Sequence, residues 1–306
     1  MRTREQEIEP LVNLSEITEI ELRILKRMSE FTIGEHKSQF QGSGFDFIGL
    51  RDWQAGDRFS AIDWPQSTLS NFSPLIVREF EQPSTATVVA VADTSPSTRC
   101  VVDGISIAAP IARAIATIGM SAVFFQDMFG LMTFDAGFAN LQTLRPRVGK
   151  SQVIHCLDAY QYQRGLQEVR QAGSISMSIA GLMRKTSLIT VISDFLYDNA
   201  EDVVKELSLL NSAHDVFLVL IDSAFACEMP QVRAGWIEAF DVETGQSRIM
   251  SRAALGSLAE RTRAWQDTIE RKAKDVDLDV LRFGIDEVRS TIALTEFIAE
   301  RRLRKT

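Results

Sequence analysis

Residues 88–97 read VVAVADTSPS, an unbroken apolar run that stops on Asp93 and is followed at once by alternating hydroxyls, Ser95 and Ser97, around Pro96. Five consecutive apolar residues without alternation are what a strand buried on both faces of a parallel sheet requires. Two later runs repeat the pattern: 187–192, SLITVI, ends at Ser193-Asp194, and 215–221, DVFLVLI, ends at Asp222. Between them the apolar spacing turns helical over about 104–125, 150–159, 176–185 and 200–211, with further helices over 253–274 and 286–304. Short strands are expected at 131–134, 139–144 and 278–283, and a hairpin over 235–250 around Glu243-Thr244-Gly245. Buried strands alternating with helices give an α/β chain: an open, mostly parallel sheet with helices on both faces.

Upstream, 16–31 carries Ile20, Ile24, Met28 and Phe31 at helical spacing, with Thr18 and Glu21 as the expected capping box. Residues 40–75 read as loop and short strand, and Leu75–Phe80 as an extended lead into the sheet. The expected division is therefore 1–84, an N-terminal helix and loop-rich segment, and 85–306, the sheet domain.

The bulk properties narrow the function classes. The chain has 306 residues, 45% hydrophobic and 24% charged, with a net charge of −8, which describes an ordinary globular protein. An acidic surface repels phosphate backbones, so nucleic acid is not an expected partner. Cys100, Cys156 and Cys227 are odd in number and widely spaced, which fits reduced thiols in the cytoplasm better than disulfides or a zinc site. The charged start MRTREQEIEP lacks the apolar core of a signal peptide, and the least polar stretch, 104–126, is interrupted by Arg113, so no membrane span is expected.

In open α/β sheets ligands sit beyond the carboxyl ends of the strands, where Asp93, Asp194 and Asp222 all fall. Alternation lets the Asp93, Ser95 and Ser97 oxygens turn into one cavity, an oxygen-only set suited to a hard cation such as Mg²⁺, and Asp194 offers a second carboxylate. The competing reading is that Ser95 and Ser97 only cap the turn that follows.

The strand ending in DTSPS, the helix after it and the later VISDF resemble a von Willebrand factor A-type domain, whose Asp-x-Ser-x-Ser loop forms a metal-ion-dependent adhesion site. RDWQAGDRFSAIDW (51–64), LIVREFE (75–81), GLMTF (130–134), SLITVISDF (187–195), HDVFLVLIDS (214–223), FDVETG (240–245) and the closing LTEFIAERR resemble one bacterial family. That family is number 58 among the domains of unknown function and is associated with MoxR-type AAA+ ATPases; the likeness runs from about His36 to the C-terminus. It implies a divalent-cation site at Asp93, Ser95, Ser97 and Asp194, with Mg²⁺, Mn²⁺ and Ca²⁺ all open. The fold's threonine ligand has no counterpart; the matching stretch GSISMS (173–178) offers Ser176, with Ser174 as the alternative. The chain departs from many relatives in lacking an Ala-Arg pair after the tryptophan and N-terminal transmembrane helices.

Within RDWQAGDRFSAIDW, the charges of Arg51, Asp57, Arg58 and Asp63 and the ring of Trp64 read as an ion pair and a buried tryptophan pinning the segment, with partner contact as the alternative. Gly149-Lys150-Ser151 resembles the end of a phosphate-binding loop, but the glycine such a loop needs five positions earlier is Leu144, so a turn with Ser151 capping a helix is expected. The C-terminal arginines read as complements to a helix dipole. The leading expectation is thus a non-catalytic binding module, working in the cytoplasm with a MoxR-type ATPase on an unidentified client. A scaffold with a degenerate metal site and a Mg²⁺-dependent phosphohydrolase are the alternatives.

Overall fold

A computed structural model describes residues 10–34, 46–54, 62–69, 71–81, 85–99, 101–102, 105–135, 138–170, 173–183, 185–224, 236–240 and 247–304. They fall into two compact units, one of Met1–Arg27 with Ala86–Thr306 and one of Met28–Thr85. This grouping differs from the 1–84 and 85–306 division over the first 27 residues. The reason is packing: Ile17, Ile20 and Ile24 of the first helix are buried, and Arg113 pairs with Glu16.

That helix, α1 (Leu14–Gly34), starts earlier than its apolar spacing suggested. The capping box is Asn13 with Glu16: the Asn13 amide donates to Glu16 Oε2 at 2.7 Å, and the Glu16 amide donates to Asn13 Oδ1 at 2.9 Å. Thr18 instead lies inside the first turns, its hydroxyl donating to the Leu14 carbonyl, and Glu21 pairs with Lys150.

The smaller unit pairs β1 (Asp46–Asp52) antiparallel with β2 (Ile76–Glu81), with α2 (Trp64–Leu69) between them in sequence. Asp63 is buried and caps α2, its Oδ1 accepting from the Gln66 amide at 3.2 Å. Trp64 does not behave as the expected buried pin: it opens the helix and is 54% exposed. Asp57 and Arg58 lie outside the described residues.

The larger unit is the sheet. Its elements follow as β3 (Thr87–Asp93), a 3-10 turn at Pro96–Arg99, a small hairpin of β4 (Val101–Val102) and β5 (Ile105–Ser106), α3 (Ala108–Phe124), β6 (Met128–Asp135) and β7 (Ala139–Arg147). Then come α4 (Lys150–Tyr162), β8 (Gln167–Glu168), α5 (Ile175–Ala180), β9 (Ser187–Ser193), α6 (Ala200–Leu210) and β10 (Asp215–Ile221). The hairpin β11 (Trp236–Phe240) with β12 (Ser247–Ser251), α7 (Arg252–Asp275), β13 (Asp279–Phe283) and α8 (Glu287–Arg304) complete it. The turn residues Glu243-Thr244-Gly245 lie outside the described residues.

Seven strands order as β13-β10-β9-β3-β6-β7-β8. The run β13-β10-β9-β3-β6 is parallel throughout, and β7 and β8 join antiparallel at one edge. Every residue of β10 is buried, as an unbroken apolar run covered on both faces demands. Val89 and Val91 of β3 pack into a core with Val203, Val204 and Leu207 of α6 and Ile269 and Ala273 of α7, while α3, nearly all apolar, packs against β3 from its other residues. Gly119 marks the closest approach of α3: a Cβ there would stand 2.8 Å from Val153 Cγ1 and 2.9 Å from Phe129 Cε1.

Two details depart from the sequence reading. Ser151 does not cap α4; the helix begins at Lys150 and the cap position is Gly149 at φ +107°, a conformation open to glycine. Arg301 does more than meet a helix end: it pairs with Asp215 and Asp279 and lies over the Phe217 and Phe297 rings, 5.1 and 5.0 Å from their centroids. Cys156 is buried and its thiol is pushed up to about 12 by that burial, as an inert core thiol should be; Cys100 and Cys227 lie outside the described residues.

Candidate functional site

Counting outward from β3, the strands run β6-β7-β8 on one side and β9-β10-β13 on the other, so sequence order reverses between β3 and β9. In a doubly wound sheet that switch point opens a crevice beyond the carboxyl ends, because the connections on either side leave in opposite directions. Asp93 closes β3 and Ser193-Asp194 closes β9, one on each side of the switch.

Asp93 is fully buried. Its Oδ1 accepts from the Ser95 amide at 2.8 Å and the Ser95 hydroxyl at 2.7 Å, and its Oδ2 accepts from the Ser193 hydroxyl at 2.6 Å. The Ser95 and Ser97 hydroxyls stand 3.1 Å apart, so the DTSPS loop does bring its three oxygen-bearing side chains together. Pro96 starts the 3-10 turn, whose Thr98 hydroxyl donates to the Ser95 carbonyl at 2.7 Å. From α4, the buried Tyr160 hydroxyl donates to the Asp93 carbonyl at 3.0 Å, and Arg99 clamps Tyr160 in turn through its carbonyl at 2.8 Å.

Asp194 is 1% exposed; Oδ1 accepts from the Leu196 amide at 3.2 Å and the Ser223 hydroxyl favours its ionised form, while Oδ2 is buried with no hydrogen-bond partner of good geometry among the described residues. Phe195 follows in the left-handed region at φ +55°, a strained position for a bulky residue. Its carbonyl accepts from Trp265 Nε1 at 2.8 Å. Next to Trp265, the buried Gln266 amide donates to the Asp194 carbonyl at 3.1 Å, the Ile221 carbonyl at 2.8 Å and the Ser223 hydroxyl at 3.3 Å, strapping the ends of β9 and β10 together from α7. Asp222 bonds within its own loop: its Oδ1 accepts from the Ala224 amide at 3.1 Å.

Electrostatically the site holds two buried carboxylates whose hydrogen bonds come from hydroxyls and amides. Burial first, then the Asp93 charge, push the Asp194 carboxyl up to about 7; burial is also the main reason Asp93 is raised. Such a pair is costly when both are ionised, and a divalent cation would relieve it, by supplying positive charge that the orphaned Asp194 Oδ2 could ligate. The donor set of carboxylates and hydroxyls suits a hard cation, so the residues present fit one. Beside the Asp93 loop, on the β6 side, lies a cleft of about 540 Å³ lined by Thr94, Asp135, Asn140, Gln163 and Glu168.

The remaining sequence candidate stands elsewhere in its bonding. Ser176 is buried at the start of α5, its hydroxyl 2.9 Å from that of Ser174, and Ser174 is the helix cap, accepting from the Met177 amide at 3.2 Å. Ser193, Tyr160 and Gln266 are not among the sequence candidates. Ser193 could have been found, since it precedes Asp194 at a strand end, but nothing in the spacing of α4 or α7 marks Tyr160 or Gln266 as reaching the site.

Residues 49–268 match the family described as Protein of unknown function DUF58. The chain belongs to that family. Two solved structures similar to this DUF58 chain come from Bacteroides: an aerotolerance-related membrane protein from Bacteroides fragilis NCTC 9343, carrying multiple mutations to serines, and the conserved hypothetical protein BatB from Bacteroides thetaiotaomicron. Each aligns at 16% identity with a TM-score of 0.42 over 70% of this chain, covering 99% of the first and 98% of the second. A comparison with curated proteins found no match. No helix among the described residues is long and apolar enough to cross a membrane.

Proposed function

We propose that this DUF58 chain is a non-catalytic protein-interaction module of the von Willebrand factor A type. Asp93, Ser95, Ser97 and Asp194 hold a divalent cation, Mg²⁺ before Mn²⁺ or Ca²⁺, and a carboxylate from a partner completes its coordination. Ser176 belongs to this set by family resemblance alone. The observation that carries the reading is the buried Asp93–Asp194 pair at the β3/β9 switch point, with Asp194 Oδ2 unpartnered among the described residues. A buried carboxylate oxygen without a donor is a cost that a fold retains for a purpose. The family association supplies the co-worker: a cytoplasmic MoxR-type AAA+ ATPase provides the work, and this chain selects the client protein complex to be assembled or activated.

Titration of Mg²⁺ and Mn²⁺ into chelator-treated protein, wild type beside Asp93→Ala, tests the reading. Binding in the wild type that disappears in a folded Asp93→Ala variant is the expected result. Capture of a partner that persists in excess chelator would overturn it and favour a scaffold whose metal site is degenerate, a reading that the Ser174–Ser176 contact favours. Turnover of an aryl phosphate, lost in Asp93→Asn, would instead move the assignment to a metal-dependent hydrolase.

A further inference from the structure

The cleft of about 540 Å³ on the β6 side of the Asp93 loop contains a row of polar side chains. Thr133 of β6 pairs with Gln142 of β7, and Gln142 pairs with Glu168 of β8, so the three stand side by side on one face of adjacent strands. Thr94 closes the loop side: its amide and its hydroxyl both donate to the Phe134 carbonyl, at 2.9 and 2.7 Å, which sets Asp135 beside the loop. Two of these groups are unused by the protein. Thr133 is 1% exposed and lines the cleft, yet its hydroxyl makes no hydrogen bond among the described residues. Buried hydroxyls are normally partnered, so one that opens into a cleft without a partner marks a place for a ligand. Glu168, in the same row, makes no ion pair among the described residues.

The lining says what kind. It holds two carboxylates, Asp135 and Glu168, and no Lys, Arg or His. The amides add acceptors: Gln163 Nε2 donates to the Tyr160 carbonyl at 2.7 Å and Asn140 Nδ2 to Asp135 Oδ2 at 3.4 Å, and each leaves its amide oxygen unused among the described residues. Arg99, from the turn after Pro96, is committed to the Tyr160 and Gln161 carbonyls at 2.8 and 3.5 Å. Surplus acceptors with negative charge select a cation rich in N–H donors. A guanidinium is that group: it stays charged and carries five donors in a planar fork, where an ammonium is a compact point charge with three. We infer that this cleft receives an arginine side chain presented by a partner protein. The guanidinium chemistry stands on the cleft alone and needs no cation at Asp93; its arrival on a protein rests on the interaction-module reading above. Thr94 and Pro96 belong both to the Asp93 loop and to the cleft lining, so a segment docked on that loop has the cleft beside it.

The probe is the blocked tripeptide acetyl-Gly-Arg-Gly-amide, titrated in chelator into the full chain, with the NMR shifts of the Asn140, Gln142 and Gln163 side-chain amides as the readout. The same peptide with citrulline keeps the shape and loses the charge, and agmatine offers a guanidinium without a peptide. Glu168→Gln and Thr133→Val remove the charge and the hydroxyl at nearly constant volume, and melting curves check that each is folded. The arginine peptide is expected to shift all three amides saturably. Citrulline, or Glu168→Gln, is expected to weaken binding at least about tenfold, and Thr133→Val to weaken it as well. No binding by wild type, equal binding of the citrulline peptide, or wild-type affinity in either folded variant overturns the inference. If Thr133→Val melts early, Glu168→Gln decides, since its side chain is exposed. Agmatine binding more tightly than the peptide overturns the protein source and makes the cleft a small-molecule site. Because the titration runs in chelator, its failure leaves the cation site standing, and a protein that takes the peptide but no Mg²⁺ loses only the cation site.

Discussion

The Ser193 hydroxyl donates to Asp93 Oδ2 at 2.6 Å while accepting from the Phe195 amide at 2.9 Å, so one buried oxygen ties the end of β3 to the loop leaving β9. It is the only direct side-chain link between the two strand ends among the described hydrogen bonds of Asp93. Ser193→Ala leaves a buried carboxylate oxygen and a buried amide both short of a partner. The expected cost is about 1–3 kcal/mol in urea unfolding, because the loss is the desolvation of groups left unpaired. A variant as stable as wild type would show that another donor takes over at Asp93.

The two carboxyls give the cation-free protein a pH dependence of definite sign. An unfolded aspartate titrates at about 3.9, whereas burial and the Asp93 charge lift Asp194 to about 7, and Asp93 is raised as well. Between those limits the folded state holds more protons than the unfolded one, so stability falls as pH rises through the window and levels off above it. His214, lowered by burial, acts oppositely, losing stability as pH falls. Asp194→Asn isolates the carboxyl contribution. In chelator it is expected to melt above wild type at about pH 8 and to converge with it toward about pH 5. Mg²⁺ should raise the wild-type melting temperature at the higher pH and leave the variant unmoved. A constant difference between the two across that range would mean that Asp194 does not titrate abnormally.

Gln266 straps the carboxyl ends of β9 and β10, donating to the Asp194 and Ile221 carbonyls and to Ser223 Oγ from one buried amide. Gln266→Leu keeps the volume but loses every donor. It is expected to destabilise the fold by about 1–3 kcal/mol and, by freeing the segment that carries Asp194, to weaken cation binding more than a surface substitution on α7 such as Arg271→Ala. Unchanged cation affinity in a folded variant would show that the backbone of β9 alone positions Asp194.

Much of this architecture was legible in the sequence, for a physical reason. Strands buried on both faces, such as 88–92 and 215–221, leave unbroken apolar runs, and the aspartates that end them lie where α/β sheets bind ligands. The DTSPS loop was legible because its oxygens are local, brought together by a few residues of turn. What was not legible depends on tertiary placement. Gln266 and Tyr160 sit on long helices where nothing in the spacing says that one amide or phenol will arrive at a strand end. The two-residue strand β8 has too few residues to show a period, and Trp64 carries no mark that distinguishes an exposed aromatic from a buried one. The capping box was misplaced because Thr18 and Glu21 have the spacing that Asn13 and Glu16 use, nearer the N-terminus.

Two buried tyrosine hydroxyls should respond oppositely to loss of a single oxygen. The Tyr160 hydroxyl is partnered: it donates to the Asp93 carbonyl at 3.0 Å, and its ring lies under the Arg99 guanidinium at 5.0 Å from the centroid. Tyr160→Phe keeps the ring and its cation–π contact but removes the donor from a carbonyl at the buried end of β3. A cost of about 1–3 kcal/mol is expected, visible as a lower melting temperature in chelator. Among the described residues the buried Tyr197 hydroxyl makes no hydrogen bond of good geometry, so Tyr197→Phe is expected to melt at or above wild type under the same conditions. The order Tyr160→Phe below wild type, and wild type no higher than Tyr197→Phe, separates an oxygen that holds the cation-free fold from one that does not. If both variants melt early by similar amounts, the Tyr197 hydroxyl has a protein partner in solution and stands with Tyr160 as part of the frame.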